Sequence, residues 1–200
     1  MTRLPLFPLP VVLLPDALLP LHIFEPRYRR MVARCLEFDR RFGIVFHDPD
    51  RSGPFLTERG RVGCVAEIQT FELLEDGRSL ILTRGRERFQ IRAALEAVNP
   101  YYEAEVDAYE DTGAVLPAFL ERRRTTSLEL YQAVLAALPA DGQGPDLDPA
   151  SDISFRLAAT LQTDPEWMQA FLQLRSESER LDRLDEVFRT VLRAGPSVDA

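Results

Sequence analysis

Five prolines break up the apolar stretch from Leu4 to Phe24: Pro5, Pro8, Pro10, Pro15 and Pro20. The stretch is long enough to cross a bilayer as a helix. Each proline, however, removes an amide donor that lipid cannot replace. Asp16 and His22 lie within it as well, and only Arg3 precedes it as a basic residue. With no small-residue cleavage pattern, a secretory signal is not expected either. The remaining solution is short strands joined by proline turns. Leu4–Leu9 and Leu18–Phe24 fit two such strands, with Pro15-Asp16 turning the chain between them. Their near-continuous apolar character predicts burial on both faces, and with it a structurally satisfied His22.

Glu25-Pro26 opens a helix, proline being favoured at the first helical position. Tyr28, Met31, Val32, Cys35 and Leu36 then recur at i, i+3, i+4, i+7 and i+8, one apolar stripe. Phe42–His47 reads as a strand and His47–Pro54 as a surface loop. Val62–Leu74 is a long strand with a kink expected at Gly63, and Asp76-Gly77 closes a hairpin into Ser79–Thr83. Gly85 marks a bulge or a close crossing before a further strand at Arg88–Ala93. Tyr101–Tyr109 follows the break at Asn99-Pro100. Six or seven strands with one early helix predict a compact, partly closed β barrel.

From about Val115 the pattern turns helical. Leu116–Leu138 has helical spacing, with an interruption expected at Thr125-Thr126-Ser127. Pro139–Pro149 reads as a linker, followed by a helix near Ile153–Leu161. Asp164-Pro165-Glu166 is a strong helix start, and Ser176 with Glu179 fits a capping box opening the last helix. Gly195–Ala200 reads as a tail. The expected division is residues 1–114 for the barrel and 115–200 for a helical subdomain, an α+β chain.

The 24 basic residues are all arginine, since the sequence contains no lysine. Walker-type nucleotide hydrolysis needs a lysine on the phosphates, and a Ser–Lys dyad or a Schiff base needs one too. All three are excluded. The net charge of −8 and the absence of a basic half argue against a general polyanion surface. Cys35 and Cys64 lie far apart and suit free buried thiols in a reducing cytoplasm.

Four blocks stand out together: "LPLFPL" from Leu4, "LPLHIFEPRYRRMV" from Leu19, "DRRFGIV" from Asp39 and "GRVGCVAEIQTFELLEDGRSLILTRGRERFQI" from Gly60. In order and spacing they resemble the N-terminal, substrate-binding domain of Lon protease, over roughly residues 4–110. The resemblance implies a PUA-like pseudo β-barrel followed by a helical bundle. It also implies a non-catalytic module that binds polypeptides, present here as a stand-alone protein without the ATPase and protease of full-length Lon.

Candidate chemistry is sparse. His22, His47, Cys35 and Cys64 show no zinc-ligand spacing, so no metal or other cofactor is expected. There is no G-x-S-x-G elbow, and a hydrolase reading would have to rest on His47 or Cys35. Glu103/Glu105 and Asp48/Asp50 read as solvated surface. The candidate partner-binding residues are Leu18, Leu19, Phe24, Glu25, Arg27, Tyr28, Arg84, Arg86 and Arg88. The first three would form an apolar contact patch if exposed. Glu25 to Tyr28 would either bind or fix the strand-to-helix corner, with Glu25 paired to an arginine and Tyr28 packed. Arg84, Arg86 and Arg88 alternate and would share one strand face, with Arg59, Arg61 and Arg92 nearby. That face could take an acidic peptide or RNA phosphates, or simply pair with Glu87, Glu103 and Glu105. The expected partners are unfolded or partly folded polypeptides, or a specific protein. Nucleic acid is the alternative, a membrane is not expected, and a homodimer through the last helices stays open.

Overall fold

The computed structural model describes residues 2–96, 98–113, 116–137 and 144–194. Six strands and six helices follow one another among them. They are β1 (Thr2–Leu9), β2 (Leu18–Ile23), α1 (Pro26–Glu37), β3 (Arg41–Phe46), α2 (Pro49–Ser52), β4 (Val62–Leu73), β5 (Ser79–Ala94), β6 (Tyr102–Ala108), α3 (Pro117–Ala137), α4 (Ser154–Ala158), α5 (Pro165–Leu172) and α6 (Glu177–Ala194). The fold is α+β. It divides into two compact units, residues 1–110 with 164–172, and residues 111–163 with 173–200. Helix α5 therefore groups with the strands rather than with the other C-terminal helices.

In the first unit the strands lie in the order β2-β5-β4-β3-β1-β6, and β6 pairs again with β5. Apart from β2, the neighbour relations thus form a closed circuit. β1 and β3 are parallel, and the other pairings are antiparallel. The long β5 makes the circuit: its first half pairs with β2 and β4, its second with β4 and β6. Where two strands were expected around Gly85 there is one, and Gly85 is where the 13–17 turn crosses it. Gly85 N–H donates to Ala17 O at 2.8 Å, and Asp16 N–H donates to Gly85 O at 2.9 Å.

Among the described residues, two apolar clusters fill this unit. One joins the α1 stripe, Tyr28, Met31, Val32 and Cys35, to Phe7, Phe42, Cys64, Ala66, Ile68 and Ile81. The other gathers Leu4, Leu6, Val45, Val65, Phe89, Ile91 and Val106. Phe89 is admitted because Gly43 and Gly63 lack a Cβ; one added at either would overlap its ring.

Other expectations are corrected. β2 is not buried on both faces, because it lies at the end of the sheet order; Leu18 and His22 are exposed. The 47–54 loop contains the short α2, whose first turn is capped by Asp48 accepting from Asp50 N–H at 3.0 Å.

In the second unit α3 runs unbroken through Thr125-Thr126-Ser127. The Thr125 and Thr126 hydroxyls donate back to Glu121 O and Arg122 O, and the Ser127 hydroxyl donates to Asp185 at 2.6 Å. These polar groups are satisfied within or beside the helix, so they do not compete with it. α3 and α6 meet at Tyr131 and Phe188, with ring centroids 5.6 Å apart. Arg180, fully buried, binds both Asp111 oxygens at 2.7 Å, Asp152 at 3.0 Å and the Ser154 hydroxyl at 2.8 Å. The α4 segment is shorter than expected. Leu138 at the end of the expected helix, residues 139–143 of the expected linker and the tail from Gly195 lie outside the described residues. For α5, Asp164 accepts from Glu166 N–H at 2.7 Å, the cap its sequence called for.

Candidate functional site

The strand-to-helix corner at Phe24–Tyr28 forms one wall of an open cleft of about 410 Å³. Pro49 and Gly53–Phe55, with His47 and Tyr102, form the other. Pro26 starts α1 and swings Tyr28 inward, where it stacks on Phe7 at 4.0 Å between centroids. Burial pushes the Tyr28 hydroxyl up to about 12, against the pull of the Arg27 guanidinium. Arg27 lies 4.5 Å over the Tyr28 ring and 5.9 Å from that of Tyr102. Its Nε donates to Glu25 at 2.9 Å. The corner is thus a paired charge laid on aromatic faces.

Across the cleft, Phe55 packs edge-on against Tyr102 at 4.8 Å and against His47 at 5.3 Å. His47 Nε2 lies 2.9 Å from Gly53 O, so it carries the proton and donates. Nδ1 of the same ring is buried and, among the described residues, without a hydrogen-bond partner. No serine, cysteine or threonine among the described residues lines this cleft. Among the described residues there is no cluster of three or more His, Cys, Asp or Glu suited to a metal ion. What the cleft offers, among the described residues, is apolar and aromatic contact, the Arg27 guanidinium and a few polar edges.

Leu18 and Phe24 are 53% and 60% exposed, large values for apolar side chains. Phe24 stands on the rim, its ring 5.8 Å from that of His22. Leu19 is half-buried against the core.

Arg84, Arg86 and Arg88 do not share a face. Between the pairs Cys64–Arg88 and Ala66–Gly85, β5 advances three residues while β4 advances two. This bulge inverts the alternation. Arg84 is half-buried and sits opposite Glu67, and exposed Arg86 pairs with Glu67 at 3.1 Å. Arg88 is buried, donating to Leu172 O at 2.8 Å with its guanidinium over Tyr109.

Glu103 is a further correction. It is buried, accepting from Arg3 at 2.6 and 3.1 Å and from Asn99 at 2.6 Å. Burial alone would raise its carboxyl, but these hydrogen bonds outweigh it and hold Glu103 below the usual range. The sequence signal for it was weak, because Arg3 lies 100 residues away.

A family model for the ATP-dependent protease La (LON) substrate-binding domain matches residues 3–187. The chain belongs to this family. As a LON substrate-binding domain it is 28% identical over 197 residues to Lon protease 2 of Herpetosiphon aurantiacus, spanning 92% of this chain and 23% of that one. It is 30% identical over 110 residues to Lon protease of Cytophaga hutchinsonii, which is 54% of this chain and 13% of that protein. Protein cereblon of Danio rerio matches at 36% over 94 residues, 44% of this chain and 21% of the relative. The chain thus spans less than a quarter of these curated relatives. The crystal structure of a Lon N-terminal domain protein from Xanthomonas campestris superposes with a TM-score of 0.67 at 26% identity, over 92% of this chain and 97% of that one. The N-terminal domain of Mycobacterium avium complex Lon protease gives 0.61 at 16% identity, over 94% and 98%. This LON domain includes no described helix long and apolar enough to cross a membrane.

Proposed function

We propose that this chain recognises exposed apolar segments of unfolded or partly folded polypeptides, with no chemistry of its own. The observation that carries the reading is the aromatic cleft with exposed Phe24 on its rim; Leu18 is exposed at the other end of β2. Apolar contact supplies affinity, and the Arg27–Glu25 pair at the rim favours one orientation of a bound segment. We place this activity in residues 1–114 and assign residues 115–200 a supporting role. The relatives named Lon protease suggest that a bound polypeptide is destined for proteolysis. The missing lysine argues that any Ser–Lys dyad is supplied from outside this sequence.

Fluorescence anisotropy with labelled, reduced and alkylated α-lactalbumin tests the reading, with a labelled structured RNA in parallel. Binding that persists at physiological salt and weakens about tenfold in Phe24→Ser is expected, from the loss of one large apolar contact. Binding unchanged in both Phe24→Ser and Leu18→Ser would refute the site. RNA binding that collapses with salt, with no polypeptide binding, would refute the function.

A further inference from the structure

A second groove, of about 530 Å³, lies between α1 and the far end of β4, apart from the aromatic cleft. It arises from another bulge. Between the pairs Ile68–Thr83 and Thr70–Leu82, β4 advances two residues while β5 advances one, so Gln69 is extra. The alternation flips there, and Phe71 comes to sit opposite Ile81, a residue of the core beneath α1. Phe71 and Leu73 consequently face the helix without being covered by it: they are 41% and 66% exposed. Ala33 and Leu36 of α1 supply the facing apolar wall.

Two further features point to an occupant. First, β3 pairs with β4 only as far as Glu67, opposite Arg41. Beyond it, among the described residues, this edge of β4 pairs with no strand, and Thr70–Leu73 contains no proline. Such an edge can accept an added strand through its backbone. Second, Arg29 and Arg30 line the groove, and among the described residues neither makes an ion pair. The Arg29 guanidinium rests over Gly77 of the hairpin turn, while the hairpin's Asp76 is already paired with Arg78.

We infer that this groove binds an extended polypeptide segment by strand addition to Thr70–Leu73, selecting segments that present apolar and acidic residues on one face. The apolar side chains enter between Phe71, Leu73 and Leu36, and an Asp or Glu meets Arg29 or Arg30. The inference rests on the polypeptide-recognition reading and gives it a second site and a sequence preference.

The probe is a fluorescein-labelled peptide of about ten residues, long enough to span a short strand. Threonine takes odd positions, and valine and glutamate take turns at even ones. A second peptide replaces glutamate by lysine. The intact chain should bind the glutamate peptide, and Leu73→Asp, on an exposed side chain, should weaken it about tenfold or more. Arg29→Glu with Arg30→Glu should reverse the preference toward the lysine peptide. Backbone N-methylation of alternate residues should abolish binding in one phase and spare it in the other, because alternate amides point to opposite sides of a strand. Equal binding of the two peptides, or of both methylated phases and the parent, overturns the inference. A dimer of the protein alone that Leu73→Asp dissociates, seen by sedimentation equilibrium, assigns the edge to a second copy and overturns it too. Unfolded α-lactalbumin bound in a Phe24-dependent manner and unaffected by Leu73→Asp sinks this groove while leaving the cleft standing. Circular dichroism of each variant verifies its fold.

Discussion

Replacing Gly85 by alanine should destabilise the strand unit by about 2–4 kcal/mol. An added Cβ would lie 2.9 Å from the Leu14 carbonyl carbon and 3.2 Å from Leu13 Cγ, and closer still to the Leu14 oxygen. Backbone cannot yield as a flexible side chain does, so the 13–17 turn must lift from β5. Two cross-chain hydrogen bonds then fail, Gly85 to Ala17 and Asp16 to Gly85. At about 1 kcal/mol each they account for roughly 2 kcal/mol. Leu13 and Leu14, 3% and 2% exposed, lose packing worth about 1–3 kcal/mol. Against this, alanine restricts the unfolded chain and returns up to about 1 kcal/mol. The single tryptophan, Trp167, belongs to the same compact unit, so its fluorescence during urea unfolding reports the relevant transition. A midpoint shift equivalent to less than about 1 kcal/mol would show that the crossing is slack and refute the reasoning.

Three further outcomes follow from buried polar groups. Burial pushes the Cys35 thiol up to about 12, with Asp39 adding to it, and pushes Cys64 higher still; both should resist Ellman's reagent in the folded protein and react at once in urea. Rapid labelling under native conditions would contradict that burial. Glu103, held below its usual range in the fold, contributes stability that is present above the unfolded glutamate value and lost as pH falls through the lower folded one. Urea midpoints between pH 6 and pH 3 (roughly, the range below and above a free glutamate) should therefore fall less steeply in Glu103→Gln than in the parent; parallel curves would refute the assignment. Arg180→Ala empties a fully buried site and removes the guanidinium shared by Asp111, Asp152 and Ser154; the two carboxylates are partly solvated, so the helical unit should lose about 2–4 kcal/mol, from the emptied site and its hydrogen bonds, by thermal unfolding followed at 222 nm (roughly, the helix band). A loss under about 1 kcal/mol would mean the guanidinium is replaceable by water.

Much of the frame is local and was legible. The stripe Tyr28–Met31–Val32–Cys35 defines α1 by spacing alone, and it is the buried face. Asp164-Pro165 starts α5 because the cap and the fixed proline φ act within one turn. Asp-Gly at residues 76–77 turns the chain because Gly77 has a φ of +79°. Exposure at Leu18 and Phe24 was posed by the sequence and decided by position, since β2 ends the sheet order.

What stayed hidden depended on residues distant in sequence. Period-2 spacing put Arg84, Arg86 and Arg88 on one face, and it fails because a bulge registers against β4, 19 to 24 residues earlier. Glu103 read as surface because Arg3, which makes its burial tolerable, is at the other end of the strand unit. Thr125-Thr126-Ser127 read as a break because helix propensity weighs hydroxyls before their partners are known, and Asp185 is one of them. The sequence by itself determined the proline-cut strands, the amphipathic helix, the family blocks and, through the missing lysine, the chemistry this chain cannot perform. Only the tertiary structure decided which apolar residues stay in water, which charges are sealed, and where β4 leaves an edge open. Periodicity is a property of a few neighbouring residues, whereas register and burial are set by pairings that sequence spacing does not encode.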